Sequence, residues 1–379
     1  MKIAVVGPTY PFRGGIAHYT SLLVRHLRLR HEVFFASYSR QYPRWLYPGK
    51  GDRDPSRELL LEEIPQCRID AVNPIAWCSL GRRIAREGSA LVILPWTVAY
   101  WAPFYWLFLR QLRKWQPSAR VLFLCHNVRE HESAPWKRRL SLQVLAQADF
   151  LIAHSREEAR HLQSMIGKSS GCVIQSSPHP VYQHLNRHRV EQKQARDRLG
   201  IRRQRVLLFF GFIREYKGLR YLLESLPLIL KELEIHLVVA GEVWGSPAEY
   251  QALIQRLDVS EFVTFSGDYV PNEMVEDYFA AADLVVAPYL SATQSGIVQL
   301  AYGFEKPVVA SRVGGIPEVV LDGITGYLVP PADPGAISHA VVDFFQKGRG
   351  PAMSASIREE LGRFSWDKMV ETIERFLEN

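Results

Sequence analysis

The sequence predicts two doubly wound α/β domains, each a parallel sheet with helices on both faces. Three observations predict this. The chain has 379 residues, more than one hydrophobic core usually serves. Short apolar runs alternate with helical stretches from end to end, the pattern of parallel strands joined by crossover helices. Glycines recur where an apolar run gives way to a helix, which is where such sheets bind ligands.

In the first half the strand candidates are Lys2–Val6, Glu32–Ala36, Ala90–Leu94, Arg120–Cys125 and Phe150–Ala153, with helical patterns at Ile16–Leu29 and Arg156–Met165. The second half offers strands at Arg205–Phe210, His236–Ala240, Val263–Phe265, Leu284–Ala287 and Pro307–Ala310. Helices fall between them near Leu219–Lys231, Pro247–Leu257, Asn272–Ala280 and Ile297–Phe304. The polar stretch Gln183–Gln204 reads as a hinge. The expected organisation is a domain over 1–182, a linker over 183–204, a second domain over 205–354 and terminal helices over 355–379. Two such sheets with their C-terminal strand ends facing each other would form one cleft for a donor and an acceptor.

Composition narrows the classes. Hydrophobic residues make up 47% and charged residues 22%, an ordinary globular balance without long disorder. The four cysteines, Cys67, Cys78, Cys125 and Cys172, are scattered and form no Cys-x-x-Cys pair. That argues against a disulfide framework or a structural zinc and suits a reducing cytosol. The N-terminus runs as a strand into Gly7 rather than as a signal core, so a cytoplasmic location is expected. Residues 1–180 hold 25 Lys and Arg against 13 Asp and Glu, a balance of +12, while 181–379 balance at −5. A basic half reads either as a surface for an anionic partner (nucleic acid, anionic lipid or a phosphorylated acceptor) or as a well-solvated arginine-rich face. No nucleic-acid motif accompanies it.

From Gly88 to Leu109 there are 22 residues without a charge, among them Trp96, Tyr100, Trp101, Phe104, Tyr105, Trp106 and Phe108. The length would span a bilayer. Pro95 and Pro103 interrupt it, however, and a span would cut a sheet into halves with unpaired edges. Two readings stand: a core helix packed on the sheet, or an aromatic helix lying at an anionic lipid interface, peripheral at the inner face of the membrane. Under the second, Trp96, Tyr100, Trp101, Tyr105 and Trp106 are the contact residues.

The chemistry-bearing stretches follow strand ends. After the first strand comes Gly7-Pro8-Thr9-Tyr10-Pro11-Phe12-Arg13-Gly14-Gly15, then a helix. Glycines there let the backbone approach a ligand, and the helix N-terminus favours an anion. No G-x-G-x-x-G is present, which speaks against a nicotinamide oxidoreductase. In the second half Gly211-Phe212-Ile213-Arg214-Glu215-Tyr216-Lys217-Gly218 follows a strand. Arg214 and Lys217 stand where a pyrophosphate would dock, one as a bidentate fork and one as a point charge. Ser291-Ala292-Thr293-Gln294-Ser295-Gly296-Ile297 caps the next helix, whose amides could hold phosphate. Gly314-Gly315-Ile316-Pro317-Glu318 makes a further glycine turn.

These pieces in this order resemble the retaining glycosyltransferases of family 4. The stretches that carry the resemblance are Gly14-Gly15, His126-Asn127, Lys217-Gly218, the Gly296 loop and Lys306-Pro307-Val308-Val309-Ala310-Ser311. Gly314-Gly315-Ile316-Pro317-Glu318 and Asp322-Gly323-Ile324-Thr325-Gly326-Tyr327-Leu328-Val329 complete them. The resemblance implies the GT-B fold and transfer of a sugar from a UDP- or GDP-sugar to a saccharide or lipid-linked acceptor. It also implies retention of configuration with no cofactor or metal required. It implies Gly14 and Gly15 bordering the donor phosphate, His126 touching the donor sugar, and Lys217 with Arg214 neutralising the leaving diphosphate. Gly211, Thr293, Gln294, Ser295, Gly296, Gln299 and Glu318 would bind the donor. The terminal helices would pack back on the first domain.

The sequence departs from that family at the paired glutamates flanking the glycine loop. Those positions read Thr293 and Ala301, or Gln294 and Tyr302 if slipped by one. Phe212 stands where an arginine is common. A variant that grips its donor through neutral hydrogen bonds from Gln294 and Gln299 accounts for this. So does a non-catalytic subunit that binds a sugar nucleotide or a partner transferase.

Overall fold

The computed structural model describes every residue except 44–48, 50, 58–62, 128–134, 168–170 and 379. The chain divides into two compact units. The first comprises Met1–Asp54, Leu61–Pro178 and Trp366–Asn379, and the second Pro55–Leu60 and His179–Ser365.

The first unit is built on β1 (Lys2–Val6), β2 (Glu32–Arg40), β3 (Cys67–Asp70), β4 (Leu91–Trp96), β5 (Arg120–Cys125), β6 (Phe150–Ala153) and β7 (Val173–Ser176). Their order is β3-β2-β1-β4-β5-β6-β7, all parallel. The central strands are buried on both faces, so they read as unbroken apolar runs rather than alternating ones. Between them lie α1 (Gly15–Arg28), α2 (Pro74–Glu87), α3 (Ala102–Trp115), α4 (Pro135–Leu145) and α5 (Arg156–Ile166). The expected elements are all present. β3 and β7 add two short edge strands with mixed side chains, which carry no apolar run to announce them.

The second unit opens with α6 (Gln192–Arg198) and continues through β8 (Val206–Phe210), α7 (Leu219–Leu230), β9 (His236–Ala240), α8 (Pro247–Arg256), β10 (Val263–Ser266), α9 (Asn272–Ala281) and β11 (Leu284–Ala287). Then follow α10 (Gly296–Gly303), β12 (Val308–Ser311), β13 (Gly326–Val329), α11 (Pro334–Gln346) and α12 (Gly350–Glu360). The strand order is β10-β9-β8-β11-β12-β13, again wholly parallel.

Segment 183–204, expected as a hinge, is fastened to the second unit. Arg196 donates to the Ala281 carbonyl at 2.9 Å and pairs with Asp283 at 2.8 Å. Gln192 Nε2 reaches Asp283 at 3.0 Å, and the Glu276 carboxylate accepts from the His188 and Val190 amides. Several of its polar residues are thus partners for carboxylates of the second unit, Glu276 buried and Asp283 half-buried. At the other end, α13 (Trp366–Glu378) belongs to the first unit, stacking Phe376 on Phe150 at 4.5 Å and pairing Glu374 with Arg30 and His31. Residues 355–365 stay with the second.

The long uncharged segment is core. It divides into β4, a short turn at Ala99–Trp101 and α3, and among the described residues no helix is long and apolar enough to cross a membrane. Trp96, Trp101 and Tyr105 are 1%, 3% and 1% exposed; Trp101 and Tyr105 lie against a fully buried Trp77, Trp96 against Tyr105, and the Tyr105 hydroxyl donates to the Pro95 carbonyl at 2.6 Å. The lipid-contact reading therefore fails for these three. The run lacks charge because a central strand and an inner helix face have no water to hold charges in. Tyr100 is half-buried, and Trp106 points outward.

Asp283 is a junction in the second unit, since it also accepts the Val206 amide at 2.8 Å and so joins α6 to β8. Asp283→Ala would leave the half-buried Arg196 guanidinium with backbone carbonyls alone and the Val206 amide without its carboxylate. A loss of roughly 2–4 kcal/mol is expected, read as a shift in the urea midpoint at unchanged m-value.

Candidate functional site

In the second unit the crossovers leave β8 toward β9 on one side, while β11 flanks it on the other. The C-terminal ends of β8 and β11 therefore form a topological switch point, where parallel sheets open a crevice. Three loops meet there: 211–218 after β8, 288–295 after β11, and 312–318 after β12. The Leu290 amide donates to the Tyr216 carbonyl at 2.7 Å, and the Gly315 amide to the Thr293 carbonyl at 3.0 Å. Gly218 (φ +70) lies against the Pro288 carbonyl, and Gly314 (φ +49) against that of Ala292, so closely that any Cβ would overlap them. Only glycine allows this contact.

Lys217 stands at the middle of this construction. Its Nζ lies 5.4 Å from the Tyr289 ring centroid and 3.5 Å from where a Cβ on Gly211 would be. Burial, helped by the Arg214 charge, pushes its ammonium down to about 8. Among the described residues it has no carboxylate partner. Arg214 itself is exposed, its guanidinium over the rings of Trp244 (4.8 Å) and Tyr216 (5.1 Å). Ser295 caps α10: its Oγ accepts from the Val298 amide at 3.2 Å and lies 3.3 Å from the Tyr289 hydroxyl. The Ile297 side chain packs 3.0 Å from the same Cβ position on Gly211. Gly211, Lys217, Tyr289, Ser295 and the first turn of α10 are thus gathered, with the amides of Gly296 and Ile297 lacking helical partners.

Two glutamines belong to this neighbourhood. Gln294 precedes the cap and Gln299 lies one turn into α10, and the Oε1 of each is buried without a hydrogen-bond partner. Glu318 falls in the turn after β12, where its amide donates to Gly315 and its carbonyl accepts from Arg363 at 2.9 Å. Thr293 contributes its carbonyl to the same turn.

The remaining expected residues lie in the first unit. Gly14, at φ +100, precedes α1, and Gly15 opens it. His126 follows β5, its amide held by the Trp96 carbonyl at 2.9 Å and its ring buried. Tyr19 of α1 meets it edge-on at 4.5 Å, and His154, just past β6, lies 5.0 Å away. His154 Nδ1 faces the Ser177 carbonyl at 3.1 Å. A carbonyl only accepts, so that nitrogen carries the proton. Burial pushes the His154 imidazole down to about 4.

Sequence reasoning missed Tyr289, Tyr19, His154 and the Phe212–Trp244 ring pair (5.0 Å). Tyr289, Phe212 and His154 each stand within two residues of a strand's C-terminal end, and that position was the available signal.

Residues 204–347 match the family described as "Glycosyl transferases group 1". Among solved structures, sucrose-phosphate synthase from Thermosynechococcus elongatus aligns over 100% of this chain and 98% of its own, with TM-score 0.74 and 18% identity. Anabaena HepE, solved with UDP-glucose, aligns over 100% and 99%, with TM-score 0.77 and 16% identity. The fold is GT-B. Curated relatives include D-inositol 3-phosphate glycosyltransferases from Streptomyces avermitilis (33% identical over 246 residues) and Geodermatophilus obscurus (30% over 241). The matches cover 60% and 61% of this chain and 51% and 52% of those proteins, so the chain spans about half the length of the curated relatives it matches.

The buried His154 sets an acid limit on the first unit. The unfolded chain binds its proton near pH 6.5, the fold only near pH 4. Stability conferred by the neutral ring is therefore complete above 6.5 and lost as pH falls toward 4, by about 2–3 kcal/mol. His154→Gln should remove that part of the slope in urea titrations at pH 7 and 4.5. An unchanged slope would assign the acid sensitivity to other groups.

Proposed function

We propose that this protein is a glycosyltransferase that takes a sugar from a UDP- or GDP-sugar and places it on a hydroxyl of a saccharide or lipid-linked acceptor. In this reading configuration is retained and no metal is required. The setting is polysaccharide or cell-envelope glycan synthesis on the cytoplasmic side of a membrane. One observation carries the proposal: Lys217, half-buried and with no carboxylate partner among the described residues, stands beside the amide end of α10 and the bare backbone of Gly211. The chemical complement of that set is a diphosphate, which supplies the negative charge and the acceptor oxygens together. The group 1 match over the same unit and the UDP-glucose held by HepE support a nucleotide-sugar ligand. The named acceptor class of the curated relatives supports a hydroxylic, phosphorylated acceptor.

In the proposed reaction the bond from the anomeric carbon to the diphosphate oxygen breaks, and its electron pair stays on that oxygen. Lys217, Arg214 and the amides of Ser295, Gly296 and Ile297 stabilise the charge as it develops, being already oriented toward it. The acceptor hydroxyl attacks on the face the diphosphate is leaving, and its proton passes to the departing phosphate oxygen. Gln294 and Gln299, whose amide oxygens lack partners, would accept from ribose or sugar hydroxyls where related enzymes use glutamate. His126 would contact the donor sugar, Gly14 and Gly15 the acceptor side of the phosphates, and Glu318 the donor.

Lys217→Ala is expected to lower turnover of a UDP- or GDP-sugar by about 10²–10³-fold while circular dichroism stays unchanged. Near-normal turnover would remove the phosphate assignment. Nucleotide binding should also depend on pH. The free ammonium titrates near 8 and a bound diphosphate raises it, so affinity is greatest below pH 8. Above it, UDP affinity should fall about tenfold per pH unit, measured by calorimetry. Lys217→Arg, which keeps its charge, should flatten that dependence.

A further inference from the structure

The solvent side of the α2–α3–α4 layer has no part in the chemistry above, and its composition is unusual. These are consecutive helices on one face of the first sheet, with α2 packed on α3 and α3 on α4. The contact is close at Gly81, where a Cβ would meet the Phe108 carbonyl at 2.8 Å. Arg82, Arg83, Arg86, Arg110, Lys114, Arg138 and Arg139 are all exposed along this layer. The three helices contain one carboxylate, Glu87, and Lys2 takes it at 2.7 Å. Among the described residues none of these seven basic side chains pairs with a carboxylate, whereas Arg113 of α3 takes Asp149.

Apolar side chains stand among these charges. Ile75 is 75% exposed, Trp136 61%, Trp115 53% and Trp106 43%, and the Arg110 guanidinium lies 5.5 Å over the Trp106 ring. Ile75 and Leu107 form the apolar part of a groove of about 780 Å³ whose remaining wall includes Arg82, Arg83 and Arg86. Guanidinium groups beside exposed indoles suit a plane that is anionic at its surface and apolar just beneath. A nucleic acid would use the arginines but leave Ile75 and Leu107 facing water.

We propose that the α2–α3–α4 face docks on a lipid bilayer rich in anionic headgroups, with the groove over α2 receiving a headgroup phosphate and Trp106 and Trp136 entering the interface. The surface differs from the aromatic run expected from the sequence, most of which is core. The proposal stands apart from the transferase reading, because binding is measured without donor or acceptor.

The test is flotation of the full chain with phosphatidylcholine vesicles containing or lacking 40% phosphatidylglycerol, a composition chosen for the experiment at about 0.1 M salt. Binding to the anionic vesicles, weakened by salt and accompanied by a blue shift of tryptophan emission, is expected. Each basic residue near such a surface contributes about fivefold in affinity. The triple variant Arg82→Glu, Arg86→Glu, Arg110→Glu should therefore lose about a hundredfold or more, and Trp106→Ala with Trp136→Ala should lose the blue shift. Unchanged thermal transitions in both variants show that the fold is kept. Equal binding by wild type and the charge variant would overturn the proposal. So would absence of vesicle binding, or binding of an oligonucleotide that the triple variant abolishes while vesicles are ignored.

Discussion

A half-buried lysine with no carboxylate partner among the described residues stands where the loops of the second unit meet. Desolvation disfavours the ammonium, and Arg214 repels it further. A side chain so placed costs stability unless an anion arrives. The loops around it are held where they are by contacts that tolerate no side chain. Gly218 meets the Pro288 carbonyl, Gly314 meets that of Ala292, and amide bonds from Leu290 and Gly315 fasten the middle of the loop between them. Tyr289 is thereby brought to Lys217 on one side and to the Ser295 cap on the other. The electrostatic feature and the glycine geometry are therefore one device.

Both units use the same winding, with the first strand in the middle and the direction of crossover reversing beside it. What they gather at strand ends differs. The second unit presents cations and free amides. The first presents an aromatic and imidazole cluster of Tyr19, His126 and His154, in which burial keeps at least His154 neutral. Neutral rings stacked near a hydroxylic ligand position and exclude, while cations and amides bear charge. The outer helical layer of the first unit adds a third environment, where most of the arginines have no carboxylate partner among the described residues and Arg113, paired with Asp149, is the exception.

Strands β1, β5, β6, β9 and β11 were legible to the residue, because a strand covered on both faces must be continuously apolar and must stop where polar or glycine residues begin. The loops after β8, β11 and β12 were legible because glycine and hydroxyl residues there have specific backbone and capping roles. β3 and β7 were not legible. As short edge strands, Cys67–Asp70 and Val173–Ser176 face solvent on one side and mix their residue types. The polar segment 183–204 misled for a related reason. Hydrogen-bonding residues look the same whether their partners are waters or, as with Arg196 and His188, carboxylates far along the chain.

Hydrophobic periodicity by itself determined two parallel sheets, their crossover helices and the loops that carry chemistry, since those depend on spacing of a few residues. Which aromatic residues face the core and which face outward was decided only by the tertiary structure. Trp101 and Trp106 lie one and a half turns apart in an uncharged run, yet one is sealed against Trp77 and the other shares solvent with Arg110. The partner that separates them sits more than twenty residues away in the sequence. Long-range packing of that kind is not a local property, and neither is the placing of Lys217 beside the Tyr289 ring, which lies some seventy residues on in the chain.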